Sequence, residues 1–268
     1  MASDPAADAA GDPQRTFEIE RKYDADADTA LPDWSRIPGV TAVSAGEPRE
    51  LDARYFDTAD RTLAGHGIAL RRRTGGPDAG WHIKGPRQGD GRLELGWPLD
   101  EDGRMPDAVA QTLAQWTSEE LHPIARIENS RVAYRLRGAD GVIAEFVDDH
   151  VRATDLRTGI RREWREWEME LGAGAPAGEA GREAFFAAVE QAVLAAGVVR
   201  RHPDPSSPAP SAADTAASPH AHLTCTSTCT PTCTSVETPP ERRNPLCLAR
   251  FLRGLGEERG SRRLCVRG

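Results

Sequence analysis

The heptapeptide Phe-Glu-Ile-Glu-Arg-Lys-Tyr at 17–23 alternates with a period of two. As a strand it sets Glu18, Glu20 and Lys22 on one face and Phe17, Ile19 and Arg21 on the other. A strand with that many ionisable groups on one face joins only a sheet whose face meets water or an enclosed polar space. Segments at 49–58, 67–75, 80–86, 91–99, 125–138, 141–151 and 159–171 also read as strands, with Gly, Asp or Pro turns between several of them. The stretch 73–81 (RTGGPDAGW) is a hairpin signal. Two helical patterns interrupt, at 106–118 behind Pro106 and at 179–197 ending on Gly197. Eight antiparallel strands with a few helices predict an α+β fold, and eight strands close into a barrel.

Alternation alone describes any half-exposed antiparallel sheet. Here the charges are also sorted by strand. Glu18 and Glu20, and Glu166, Glu168 and Glu170, make acidic rows; Arg71 with Arg73, His82 with Lys84, and Arg131 with Arg135 make basic ones. A solvated face mixes signs, because like charges placed together repel. Of 34 basic residues only Lys22 and Lys84 are lysines, and both fall in these strands. A compact ammonium differs from a guanidinium at a crowded phosphate. If the eight strands close with these faces inward, the lumen is a polar tunnel. Carboxylates on one wall suit divalent cations, and cations on the other suit polyanionic oxygens. The natural guest is a metal-bound chain of phosphates.

The order of the motifs EIERK, RYFDT, LRRR, WHIK, RLEL, EFVDD and WREWEMEL resembles bacterial members of the CYTH superfamily, the triphosphate tunnel metalloenzymes. The resemblance spans about 15–201. It implies an eight-stranded antiparallel tunnel that hydrolyses a triphosphate-containing substrate, inorganic or organic, with Mg²⁺ or Mn²⁺. It implies that Glu18, Glu20, Glu168 and Glu170 hold the metal. It implies that Glu94 and Asp149, with Glu145, help hold a second metal that positions and activates water. Lys22, Arg71, Arg73, Lys84 and Arg131, joined by Arg54 and Arg92, cradle the phosphates. Strand alternation from Glu145 favours Asp149 over Asp148. The superfamily also implies two alternatives: polyphosphate or nucleotide binding without turnover, and class IV-type adenylate cyclase chemistry. Many relatives carry a lysine beyond the last helix. None follows Lys84 here, and Arg200 and Arg201 are the cations near that position.

Phosphoryl transfer asks a protein chiefly for positioning and charge neutralisation. The patterned region accordingly offers no Ser–His–Asp or Cys nucleophile. Formal charge is −8, which argues against general binding to DNA or an anionic membrane. The acidic N-terminus lacks a signal-peptide pattern, and no apolar run is long enough to span a bilayer. A cytoplasmic protein is expected, with a triphosphate or polyphosphate small molecule as partner; nothing in the sequence sets the oligomeric state. The expected organisation is a disordered N-terminus (1–14), a tunnel domain (15–202) and a disordered, Pro/Ser/Thr/Ala-rich tail (203–268). That tail carries all five cysteines, in spacings unlike common zinc motifs.

Overall fold

The computed structural model describes residues 11–200. The expected tail, its cysteines, Arg201 and residues 1–10 lie outside the described residues. Strands β1 (Gln14–Ala25), β3 (Glu47–Asp57), β4 (Ala69–Thr74), β5 (Gly80–Gln88), β6 (Gly91–Pro98), β7 (His122–Gly138), β8 (Gly141–Asp155) and β9 (Arg161–Leu171) form one antiparallel sheet. Its order is β1-β6-β5-β4-β3-β7-β8-β9, and β9 pairs back onto β1, so the sheet closes into a barrel of eight strands. These are the eight expected segments. Two short strands add to its rim, β2 (Ala42–Val43) beside β7 and β10 (Val199–Arg200) beside β1. Trp97 Nε1 donates to the Gly11 carbonyl at 3.1 Å, so the chain is held against the barrel several residues before the start expected for the folded domain.

The wall is inverted relative to an ordinary half-buried sheet. Two of its three hydrophobic clusters point outward and are covered by helices. Helix α3 (Gly178–Ala195) lays Phe185, Phe186, Val189 and Val193 on Tyr23, Phe146, Trp167 and Met169, with Trp34 beside them. Burying rings of this size contributes about 1.5–3 kcal/mol each, which makes α3 a structural member of the wall. It stops at Gly197, whose φ of 85° is left-handed, and Val198 N–H closes onto Val193 O at 3.2 Å. On the opposite side, helices α1 (Thr62–Gly65) and α2 (Asp107–Leu113) help cover Leu70, Trp81, Ile83 and Trp97 with Leu63, Val109 and Leu113. Helix α2 is shorter than the predicted 106–118, because the chain turns after Leu113. In the β4–β5 hairpin Gly75 has φ 76°, and a Cβ there would lie 1.9 Å from Glu50 O. Only glycine fits that turn.

The interior has two halves. Residues opposite one another in register share a face. Leu51, Ala53 and Tyr55 of β3 therefore point inward with Arg73 and Arg71 of β4 and with Asn129, Ile127 and Ala125 of β7. Ala53, Tyr55, Ile127, Val151, Ala153 and Trp164 are buried together as an apolar plug at one end of the bore. The charged rows occupy the rest.

Candidate active site

Following register around the barrel places the ionisable residues on one continuous inner surface. Glu18 stands opposite Arg92, Lys84 opposite Glu94, and Arg71 opposite His82. Arg131 stands opposite Asp149, and Glu145 and Glu20 flank Glu170 from either side. Lys22 stands opposite Glu168.

Three knots of charge result. In the first, Lys84 Nζ lies 2.7 Å from both Glu18 Oε2 and Glu94 Oε2, and Glu94 Oε1 takes Arg71 Nη2 at 3.2 Å and meets His82 Nδ1 at 2.5 Å. In the second, Arg131 forks onto Asp149 at 2.7 and 2.6 Å and reaches Glu168 at 3.2 Å. Lys22 joins it by pairing with Glu168 and by lying 3.3 Å from Glu20. In the third, Arg49 holds Glu145 at 2.9 and 3.2 Å, with Arg135 3.6 Å from the same carboxylate. Arg73 pairs with Asp78 of the β4–β5 hairpin.

Enclosure shifts these groups in directions that follow from their neighbours. Burial alone would raise Glu20, but Lys22, Lys84 and Arg92 outweigh it and hold the carboxyl at about 2. Glu94 falls well below the usual range against the same burial, through His82, Lys84 and Arg71. Glu170 goes the other way. The surrounding protein and then the Glu18 and Glu20 charges push it up to about 7, even though it keeps surface open to water. Burial and then Arg71 and Arg131 bring the Arg73 guanidinium down to about 9. Burial also lowers His82, which favours a neutral imidazole.

One oxygen each from Asp149, Glu166 and Glu168 lies within 4.8 Å of the others. Three hard oxygen donors in that compass fit Mg²⁺ or Mn²⁺ by donor chemistry. Trp164 Nε1 donates to Glu166 Oε2 at 2.7 Å and so fixes one of the three.

The bore brings together Glu18, Glu20, Lys22, Arg71, Arg73, Lys84, Arg92, Glu94, Arg131, Glu145, Asp149, Glu168 and Glu170. Arg54 is the exception and a correction. It stands opposite Arg72 and Arg126 on the outer face and is exposed, because Tyr55 takes the inward position beside it. Asp148 also faces out, where it accepts from Arg165 at 2.8 and 3.0 Å and from Trp167 at 2.9 Å. Inward residues that were not among the expected site residues include Glu166, Arg49, Tyr55, His82 and Arg135. Glu166 shared the acidic row of Glu168 and Glu170, and that row was the signal available for it. Arg49 and Tyr55 lie on a strand whose inner face is mostly apolar.

A family model described as CYTH domain matches residues 16–201. Two uncharacterized proteins of Mycobacterium tuberculosis, from strains CDC 1551 and H37Rv, are each 39% identical over 172 residues, covering 59% of this chain. The chain spans about a third of the length of these relatives, 34%. Among solved structures, a Bacillus halodurans protein provisionally designated an adenylate cyclase superposes with a TM-score of 0.50 at 20% identity, covering 72% of this chain and 96% of its own. A Hippeastrum protein, provisionally designated an adenylyl cyclase and described as having a dominant triphosphatase activity, gives a TM-score of 0.37 at 14% identity, over 71% of this chain and 92% of its own.

Proposed function

Given that the chain belongs to the CYTH domain family, we propose that it hydrolyses a triphosphate-bearing substrate inside the charged half of the barrel, with a divalent cation. The observation that carries the reading is the convergence of sorted charge. Lys84, Arg71 and Arg131 meet Glu18, Glu94, Asp149 and Glu168 within one closed wall. Surface ion pairs need no such enclosure, whereas a polyanion held with a cation needs both signs at close range.

Asp149, Glu166 and Glu168 are the best-placed cation ligands, with Glu18, Glu20 and Glu170 on the neighbouring wall. A bound Mg²⁺ or Mn²⁺ supplies charge neutralisation at the phosphate oxygens and a more acidic water. Lys22, Lys84, Arg71, Arg73, Arg92 and Arg131 hold the phosphate oxygens in line. Asp149 orients the attacking water, while Glu94 and Glu145, expected to share that task, stand apart from it against Lys84 and Arg49. Its oxygen bonds to phosphorus as the bridging P–O bond breaks, the leaving phosphate keeps the electron pair, and the water's proton passes to a carboxylate of the acidic wall.

The test is phosphate release by the purified full chain from tripolyphosphate, ATP and thiamine triphosphate with Mg²⁺ or Mn²⁺. Glu168→Gln is expected to lower turnover by about 10²-fold or more. Cyclic AMP with pyrophosphate as the product would assign cyclase chemistry instead. Metal-dependent binding without any product would leave a binding module. Neither binding nor turnover of any triphosphate would end the reading.

A further inference from the structure

We propose that Asp78 is a resident anion that holds one cation of the bore until a phosphate group displaces it, so that the β4–β5 hairpin gates the site. The proposal rests on the triphosphatase reading and adds a means of regulating that same site.

The last rung between β4 and β5 is Arg73 opposite Gly80. The loop that joins the strands, 75–79, reads Gly-Gly-Pro-Asp-Ala, a composition that ordinarily projects into water. Here it is folded back over the inner face of the wall. The Asp78 carboxylate pairs with Arg73, and the Asp78 carbonyl accepts from His82 Nε2 at 2.9 Å. Both partners point into the bore, since Arg73 stands opposite Ala53 and His82 opposite Arg71. Gly76 lies against Leu51, another inner residue: a Cβ there would come 2.8 Å from Leu51 Cδ2. Two successive left-handed glycines, Gly75 at φ 76° and Gly76 at φ 73°, permit the fold-back.

The two members of the pair are unequal. The Arg73 side chain is 6% exposed and that of Asp78 54%. Arg73 Nε is buried with no hydrogen-bond partner, and the Arg71 and Arg131 charges bear on the same guanidinium. A cation so placed needs an anion, and in the empty protein Asp78 supplies one. Asp78 has the opposite freedom. Its carboxylate is half in water already, so opening the pair returns it to solvent at little cost. A triphosphate held on Lys84 and Arg131 brings a more highly charged oxygen to Arg73. Two anions on one enclosed guanidinium repel, so the carboxylate yields. The loop loses its tie to Arg73 at that moment. Substrate affinity is therefore set in part by a residue outside the cradle, through competition for one of its cations.

The experiment measures binding of a non-hydrolysable bis-imido analogue of tripolyphosphate to the full chain with Mn²⁺. It also follows hydrogen exchange of the backbone amides between 75 and 80 with and without the analogue. Asp78→Asn removes the competing charge and keeps the shape. It should bind the analogue about tenfold more tightly than the parent, and its KM for tripolyphosphate should fall by a similar factor. In the parent, exchange at these amides should become faster when the analogue binds, although a bound ligand ordinarily slows exchange. That readout needs no variant and so stands even where Asp78→Asn folds poorly. Affinity in Asp78→Asn equal to the parent's or weaker, or exchange that is slowed or unchanged on binding, reduces Asp78 to a structural tie. Either result overturns the gate and leaves the triphosphatase reading standing. Failure of the analogue to bind the parent at all, with no turnover of tripolyphosphate, overturns both.

Discussion

Lys84 Nζ on β5 and Glu18 Oε2 on β1 lie 2.7 Å apart although β6 separates their strands, so this pair spans the lumen side of the wall rather than linking hydrogen-bonded neighbours. The same ammonium lies 2.7 Å from Glu94 Oε2. Removing one partner of an enclosed pair leaves the others uncompensated. Lys84→Met should therefore cost about 3 kcal/mol, the low end for such a loss, since the lysine side chain is 20% exposed. Urea denaturation reads that cost. Added Mg²⁺ should recover part of it by giving Glu18 and Glu94 a cation again. Lys84→Arg should keep the stability but not the turnover, because a planar fork does not reach both carboxylates and a phosphate from one point.

The strands were legible because their charges alternate with the period of the pleat, and the two lysines marked the inner face correctly in β1 and β5. Closure was expected from the count of eight strands and is borne out, but the order of the strands around the barrel was not legible. That β1 lies between β6 and β9 is a matter of contacts distant in sequence, which no local pattern encodes. The plug was hidden for a different reason. One face of β9 reads Trp164, Glu166, Glu168, Glu170, apolar at one end and acidic at the other. Period two fixes which residues share a face but not where along the bore that face changes from plug to site. On β3 the inner face is Arg49, Leu51, Ala53, Tyr55, which makes no charged row, and the residue that the family resemblance implied, Arg54, lies on the outer face.

Glu170 stands between two acids in register, Glu20 on β1 and Glu145 on β8. Its carboxyl is raised from 4.5 to about 7 by the surrounding protein and then by Glu18 and Glu20. A raised carboxyl favours its protonated form in the folded chain. The stability it contributes is complete below the unfolded value of 4.5 and is lost as pH rises through about 7. Glu170→Gln should therefore match the parent near pH 4.5 and be the more stable of the two at pH 8, in paired urea titrations. Mg²⁺ at pH 8 should narrow that gap by stabilising the parent more, because only the parent gains a cation beside that carboxylate.

Trp164 serves the plug with its ring and the acidic triad with its N–H, 2.7 Å from Glu166 Oε2. The two roles separate by substitution. Trp164→Ala should cost about 3–5 kcal/mol as a cavity in the plug. Trp164→Phe fills most of that volume and removes the donor, so it should cost about 1 kcal/mol. Its Mn²⁺ affinity should nonetheless fall, because Glu166 is no longer held. Isothermal titration of Mn²⁺ beside a denaturation curve distinguishes the two. Equal Mn²⁺ affinity in Trp164→Phe and the parent would remove Glu166 from the ligand set.

Arg54 and Arg71 sit on hydrogen-bonded neighbours, β3 and β4, yet their side chains leave opposite faces. Arg71 is opposite Tyr55 inside the bore and 3.2 Å from Glu94, while Arg54 is opposite Arg72 outside. Arg54→Ala should change stability by no more than about 0.5 kcal/mol and leave turnover intact, since it only thins a cluster of like charges with Arg72 and Arg126. Arg71→Ala removes a donor from Glu94 and a phosphate contact together, and turnover should fall by about 10²-fold. The comparison tests the wall itself. A slip of β3 by one residue would send Arg54 inward and Tyr55 out. In that register Arg54→Ala would be the damaging variant and the aromatic part of the plug would be missing.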